Sequence, residues 1–294
     1  MRIANNSIFN AVVNNMMKNQ ERFLKLGEDM ASGKRVHKAS DDPPTLTRIL
    51  GFRTTVASLD QFQRTINQAT SWQNVSEANL THIEEVLIRA KEVALSQASD
   101  TVSADSRKAA AKQVDALLQE AVQDGNAQFG NQFLFSGRKT NVAPFLSDGT
   151  YQGDSSTIEV EIDGGTLVTL NTPGDVAFKG VKGGVDIFGV LQDLKKALEA
   201  NDRPGIAAQI DALDRGVNQV LNVRTDVGVR MIRLASEQDK LTGVSEQLTQ
   251  LLGETEGVDV AKAITDLTQQ QFIYQASLAA TARTIQPTLL DFLR

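Results

Sequence analysis

Residues Asp259–Arg294 read DVAKAITDLTQQQFIYQASLAATARTIQPTLLDFLR. Val260, Ile264, Leu267, Gln271, Tyr274, Leu278, Thr281, Ile285, Thr288 and Phe292 recur in alternating steps of four and three, which is a heptad seam on one helix face. From Leu267 to Ala282 there is no charged side chain, and Gln, Ser, Thr and Ala fill the remaining faces. A solvated helix sets a charged face opposite its apolar stripe. This helix is therefore expected to have neighbours on most sides.

The other end of the chain has the same character. Val12, Met16, Phe23, Leu26 and Met30 lie at helical spacing, surrounded by Asn5, Asn6, Asn10, Asn14, Asn15, Asn19 and Gln20. The two termini are expected to pair with each other and then to pack against copies of themselves. The expected assembly interface is Val12, Met16, Phe23, Leu26 and Met30 on the first helix, with Ile264, Leu267, Tyr274, Leu278, Ile285 and Phe292 on the last. An amphipathic helix finishing a globular core is the other reading of the same pattern. Each terminal helix is too polar to be self-sufficient, so docking is expected to complete its order.

Composition narrows the function. The chain has 294 residues, 41% apolar and only 5% aromatic, which suits long helices packed side by side rather than a thick core around a pocket. A net charge of −6 speaks against nucleic acid, which needs clustered Lys and Arg. No apolar run approaches the roughly 20 residues that span a bilayer, so no membrane partner is expected. Without cysteine there is neither disulfide nor thiolate metal site. Met1-Arg2-Ile3-Ala4-Asn5-Asn6 lacks a basic segment followed by an apolar one, so no Sec-type signal peptide is expected.

Taken in order, helix one runs from about Ser7 to Ala31 and Ser32-Gly33 breaks it. Lys34-Arg35-Val36-His37-Lys38 is a basic connector. Asp42 followed by Pro43 is a strong helix start, N-cap then first turn. From Pro43 to about Ser99 the seam Leu59, Phe62, Ile66, Ala69, Gln73, Ser76, Leu80, Ile83, Leu87, Ala90 and Ala94 predicts a rod helix roughly 80 Å long. Ser103 caps a second helix reaching about Gln128.

Composition then shifts. Gln132–Gly137, Thr157–Ile162 and Thr166–Leu170 read as strands, the last two joined by the turn Asp163-Gly164-Gly165. This small β-rich insertion carries its own hairpin signals and is expected to be separable from the rod. Helix returns at Asp186, and after Pro204 a second rod seam runs Ile206, Ile210, Leu213, Val217, Val220, Arg224, Val227, Met231, Leu234, Gln238, Leu241, Ser245, Leu248, Leu252. Gly253–Gly257 reads as a flexible joint. The expected architecture is mainly α: an elongated antiparallel helical bundle with paired terminal helices and a small β-rich insertion. Its expected domains are 1–40 with 255–294, 41–135 with 186–254, and 136–185. Ser32, Gly33, Lys34, Arg35, Asp41, Asp42 and Pro43 form the expected joint between the first two.

Catalytic chemistry finds little support. His37 sits in the basic connector and His82 on the outer side of a rod seam, and neither has convergent partners in the sequence. Asp42 is better explained as a cap than as a cation ligand. No G-x-S-x-G, P-loop or dinucleotide fingerprint occurs. Lys34, Arg35 and Lys38 are expected to stiffen the joint through ion pairs rather than to hold phosphate. No enzyme activity, cofactor or metal is expected.

The run Gly27-Glu28-Asp29-Met30-Ala31-Ser32-Gly33-Lys34-Arg35-Val36, followed by Ala39-Ser40-Asp41-Asp42-Pro43, resembles the flagellin superfamily. Within it, Met1-Arg2-Ile3, Phe133–Thr140 with Ala143-Pro144-Phe145, and Asn218–Gly228 are similar to the hook-associated protein 3 branch, whose members join hook to filament. The resemblance covers nearly the whole chain. It implies a flagellin-like rod exported through the flagellar type III route, and self-association in a ring or helical tier. It implies hook-associated protein 1 below, flagellin above, and an export chaperone on the C-terminal helix. The ending Asp291-Phe292-Leu293-Arg294 departs from flagellin's usual Leu-Leu-Arg, and the insertion is small. Both features weigh against a filament subunit, the rival reading within the superfamily. A secreted helical adhesin or effector sharing the rod is the alternative outside it.

Overall fold

The computed structural model describes residues 2–181 and 183–290, and the side chains of residues 7, 9–181 and 183–282. In chain order the elements are α1 (Arg2–Ser32), α2 (Pro43–Gln97), α3 (Ala104–Gly125), β1 (Gln128–Phe129), β2 (Gln132–Phe133), β3 (Glu159–Asp163), β4 (Thr166–Thr169), α4 (Gly174–Phe178), α5 (Ile187–Glu199), α6 (Arg203–Glu256) and α7 (Val260–Leu290). Among the described residues no helix is long and apolar enough to cross a membrane. The chain divides into two compact units, Met1–Ala57 with Val244–Arg294, and Ser58–Gly243. Both boundaries fall inside the continuous helices α2 and α6.

The unit Ser58–Gly243 is built on the two rod seams. On α6, Ile206, Leu213, Val220, Val227, Leu234 and Leu241 are buried, one every seven residues. On α2 every expected seam residue but Phe62 is buried. Charge and polarity inside the seams have local answers. Arg224 donates to Glu77 at 2.8 Å and also pairs with Glu84, both on α2. Gln73 donates to the Leu170 carbonyl at 2.8 Å. Ser103 caps α3 by accepting from the Ser106 amide, and the buried Arg107 ties the turn before it to Gln97, Ser99 and Asn201. His82, still partly exposed, lies 2.7 Å from Asp124 and 3.0 Å from Glu120 on α3.

Three local expectations need correction. The helix expected to reach Gln128 stops at Gly125, because Asn126 turns its amide group onto the backbone of Phe145, donating and accepting at 2.8 Å. The expected strand Gln132–Gly137 is only the two-residue β2, paired with β1. The hairpin is present as β3 and β4, with Val160 opposite Val168 and a register shift between Glu161 and Asp163. The insertion also keeps no core of its own. Phe145 and Phe178 meet Phe188 of α5, and Phe135 meets Phe178, with ring centroids 4.7–5.9 Å apart, inside the same cluster as the seams of α2, α3, α5 and α6. Gln219 of α6 pins this region from below, donating to the Ala177 carbonyl and accepting from the Val185 amide.

In the terminal unit α1 and α7 lie side by side. They run antiparallel: an isolated bridge sets Lys34 against Gly257, and Gln270, thirteen residues on, meets Asn19, fifteen residues back.

Candidate functional site

The joint is a folded clasp rather than a loose connector. Gly33 takes φ +70°, a left-handed conformation open to glycine, and turns the chain out of α1. Its carbonyl accepts from the Val258 amide at 3.1 Å, and the Arg35 amide donates to the Glu256 carbonyl at 2.7 Å. Ser32 Oγ donates back to the Glu28 carbonyl and accepts from the Lys34 amide. Pro43 opens α2, and Asp42 caps it by accepting from the Thr45 amide at 3.1 Å. Arg35 lies 3.6 Å from Asp42.

Asp41 is the hub of the clasp. Its carboxylate accepts from Lys25 Nζ at 2.9 Å and from the amides of His37 and Lys38 at 3.2 and 3.1 Å. The Lys25 hydrogen bond and then those two amides hold its carboxyl down at about 2. Hydrogen bonds from Thr45 likewise hold Asp42 below the usual carboxylate range. For Glu256 burial pushes upward, and the bonds from Lys34 and Arg53 outweigh it, so its carboxyl also sits low. His37 Nε2 lies 2.9 Å from the buried Asp29. The segment expected to be a flexible joint, Gly253–Gly257, is helical to Glu256, since its carboxylate and backbone are both held. Lys25, Asp29, His37, Arg53 and Glu256 are clasp residues that sequence reading missed. Their partners lie up to 203 residues away, and no local pattern marks such pairs.

On α1, Val12, Met16, Phe23, Leu26 and Met30 are all half-buried. Phe23 stacks on Tyr274 of α7, with centroids 6.1 Å apart and planes 5° from parallel. On α7 the inward register is different from the expected one. Ala263, Gln270 and Thr281 are buried, with Leu267, Tyr274 and Ser277 half-buried. Those six positions again alternate by four and three. Leu267, Tyr274 and Thr281 are shared with the expected seam, but Ile264 and Leu278 are exposed rather than facing α1. The side chain of Ile285 and all of Phe292 lie outside the described residues.

The polarity of α7 is thus turned out. Small and polar side chains face its partner helix: Gln270 donates to the Asn19 carbonyl at 3.1 Å, and Ser277 and Thr281 turn their hydroxyls onto their own helix backbone. Val260, Ile264, Phe272, Ile273 and Leu278 stand outside, Phe272 with 73% of its surface exposed. On α1, Phe9, Met17 and Leu24 make a second exposed apolar row. Among the described residues no group of three His, Asp or Glu side chains is placed to hold a metal. Chemically the site offers apolar contact area framed by amide and hydroxyl groups, which is the equipment of a protein–protein interface.

Comparison with known proteins bears on what meets that surface. Residues 3–140 match the bacterial flagellin N-terminal helical region, and residues 210–293 match the bacterial flagellin C-terminal helical region. The chain is 25% identical to flagellar hook-associated protein 3 of Escherichia coli K12, over 95% of this chain and 96% of that one. It is 26% identical to flagellin of Bacillus subtilis 168, over 97% of each. The fold is that of a flagellar hook-associated protein of Vibrio parahaemolyticus, with a TM-score of 0.69 at 20% identity, covering 74% of this chain and all of that one.

Proposed function

As this chain belongs to the bacterial flagellin family, we propose that it is a structural subunit of the bacterial flagellum that joins the hook to the flagellin filament. The observation that carries the reading is the polarity of α7. A helix that turns Gln270, Ser277 and Thr281 to its own partner and Phe272 to the outside is built to be covered by another molecule. The assembly interface therefore comprises the outer rows of α1 and α7, while Phe23, Leu26, Leu267 and Tyr274 hold the two helices together beneath them. The clasp at Ser32–Pro43 fixes the terminal pair at its inner end, so that the pair docks as one piece.

Identity alone does not separate a junction protein from a filament subunit, since both kinds of relative stand at about one residue in four. The junction reading is favoured by the hook-associated fold match and by the local segments Met1–Ile3 and Phe133–Phe145. In this reading the subunit is exported unfolded through the flagellar type III route without a cleaved signal, and an export chaperone covers the C-terminal helix on the way. It associates with itself in a ring or helical tier, with hook-associated protein 1 below and flagellin above. Its role is mechanical, and no enzymatic step is assigned to it.

Electron microscopy of a strain lacking the chain, together with an assay of its culture medium, tests this. The expected result is intact hooks without filaments and flagellin shed into the medium. Normal filaments would reject the reading. Loss of the bulk filament protein from cells and medium alike would make the chain the filament subunit instead.

A further inference from the structure

Beside Gln219 the chain that follows α4 crosses α6 on glycines. Gly180 and Gly183 take φ +69° and +90°, a left-handed backbone that side chains rarely adopt. A Cβ at Gly184 would stand 1.9 Å from Gln219 Oε1, the atom that accepts from the Val185 amide, so the close approach needs glycine. An open groove of about 440 Å³ lies against this crossing. Val176, Val185 and Val223 give it an apolar patch, and Arg215, Asn218, Asn222 and Asp226 of α6 give it a polar edge. A Cβ at Gly183 would meet nothing within 4 Å, so that part of the wall is bare backbone, open to an incoming chain.

Arg224, Arg230 and Lys240 of α6 are engaged within the chain, the first with Glu77 and Glu84, the second with the Asn171 carbonyl and Thr172, the third with Asp163. The polar side chains on the groove are not. Among the described residues Arg215, Asn218, Asn222 and Asp226 make no hydrogen bond or ion pair, and Asp226 acts on Arg230 only through its charge.

Their spacing fits a backbone. Asn218 and Asn222 are one turn apart, so their amides repeat at about 6 Å. An extended peptide returns to the same side every two residues, about 6.6 Å. Each Asn amide has a donor and an acceptor, and can bond both the C=O and the N–H of a passing chain. Arg215 and Asp226 are the charged groups lining the groove, opposite in sign, and about 16 Å apart along the helix. That distance is about five residues of extended chain.

We propose that this groove docks an extended peptide segment of a partner protein, about five residues long, acidic at one end, basic at the other and aliphatic between. Asn218 and Asn222 bond its backbone. Arg215 and Asp226 take its charged ends, and the valine patch receives an aliphatic side chain. Unlike charges at the two ends select against segments of a single sign. The groove belongs to the unit Ser58–Gly243 and uses no residue of α1 or α7, so it is independent of the assembly role above.

The full-length chain is titrated with acetyl-Glu-Val-Ala-Val-Lys-amide and followed by amide NMR. The expected result is saturable shifts of the Gly183 and Gly184 backbone amides and of the Asn218 and Asn222 side-chain amides, with a dissociation constant of about 1 mM or below. Peptides carrying Glu at both ends, or Lys at both ends, should bind about tenfold more weakly. Asn222→Ala, at an exposed position, should weaken binding about five- to tenfold, the loss of one backbone-bonding amide. Arg215→Glu, also at an exposed position, should reverse the preference and make the peptide with Lys at both ends the best of the three. No saturation by about 10 mM, equal binding of the three peptides, or an unchanged preference in Arg215→Glu would overturn the proposal. Saturable shifts of the same amides with maltose and none with the peptide would make the groove a carbohydrate site, and would overturn it too.

Discussion

In the unit Ser58–Gly243, α6 puts a large aliphatic side chain inside at every seventh position from Ile206 to Leu241. In the terminal unit, α7 repeats with the same period but puts Ala263, Gln270 and Ser277 on one inward row and Leu267, Tyr274 and Thr281 on the other. The geometry is shared and the chemistry is opposite. Burying a Leu or Ile contributes about 1.5–3 kcal/mol, while a buried Gln or Thr first has to recover its lost hydration through hydrogen bonds. The first unit is stabilised by its own interior. The second has a specific but thin interior, with Ile264, Phe272 and Leu278 left outside it.

That contrast breaks most visibly at Leu213 and Leu80, both fully buried. Leu213→Asp places a carboxylate in a dry seam and is expected to cost about 4–5 kcal/mol, among the largest single-residue effects. For a unit of this size that lowers the melting point by about 10 °C or more in circular dichroism. An unchanged melt would show that the unit does not depend on this seam.

Next in size is the aromatic cluster. Phe178→Ala removes the ring that meets Phe135, Phe145 and Phe188, and is expected to destabilise by about 3–4 kcal/mol. Replacing residues 142–182 by a Gly-Ser linker should be worse, since it strips Phe145 and Phe178 from a core that the rod helices share. A linker variant that melts as cooperatively and as high as the intact chain would show the insertion to be independent after all.

The helix starts were legible because capping is local: Asp42, Ser103 and Asp259 each sit beside the amide they accept from. Both rod seams were legible because their period is carried by Leu, Ile and Val. Two things were not. The aromatic cluster draws Phe135 and Phe145 from irregular chain and Phe178 from the end of the five-residue α4, where periodicity has nothing to repeat. The inward register of α7 was misread because hydrophobicity was taken as the mark of the buried side. That rule fails on α7, where Ile264 and Leu278 stand outside and Gln270 and Thr281 are buried.

The clasp predicts a pH effect confined to the terminal unit. The carboxyl of Asp41 is held at about 2 in the folded chain against an ordinary value near 4. Its bonds to Lys25, His37 and Lys38 therefore contribute fully above about pH 4 and are lost as pH falls toward 2. Amide exchange in residues 33–42 and 256–258 should accelerate across that window before the amides of α6 between Ile206 and Leu241 do. Asp41→Asn, which cannot pair with Lys25 as an ion, should flatten the dependence. Equal acceleration in both regions would mean that the clasp has no acid response of its own.

The smallest effects divide α7 itself. Tyr274→Ala removes the ring stacked on Phe23, and such pairs contribute about 0.5–1.5 kcal/mol beyond their area. The expected loss is about 1–2 kcal/mol, felt only in the terminal unit, as faster exchange of amides in α1 and α7. Phe272→Ala removes a ring of similar size two residues away, but one that touches almost nothing within the chain. Its effect on the free protein should stay within about 0.5 kcal/mol, the range of an ordinary surface change. The order then reverses in the assembled flagellum, where Phe272→Ala should be the more damaging of the two. In that setting Tyr274 still has Phe23, and Phe272 has lost the only surface available to bury it. If Phe272→Ala instead loosens the free chain as much as Tyr274→Ala, the outer row of α7 is part of the chain's own core. The contrast between a self-sufficient unit and one completed by a neighbour would then fail at the helix on which it rests.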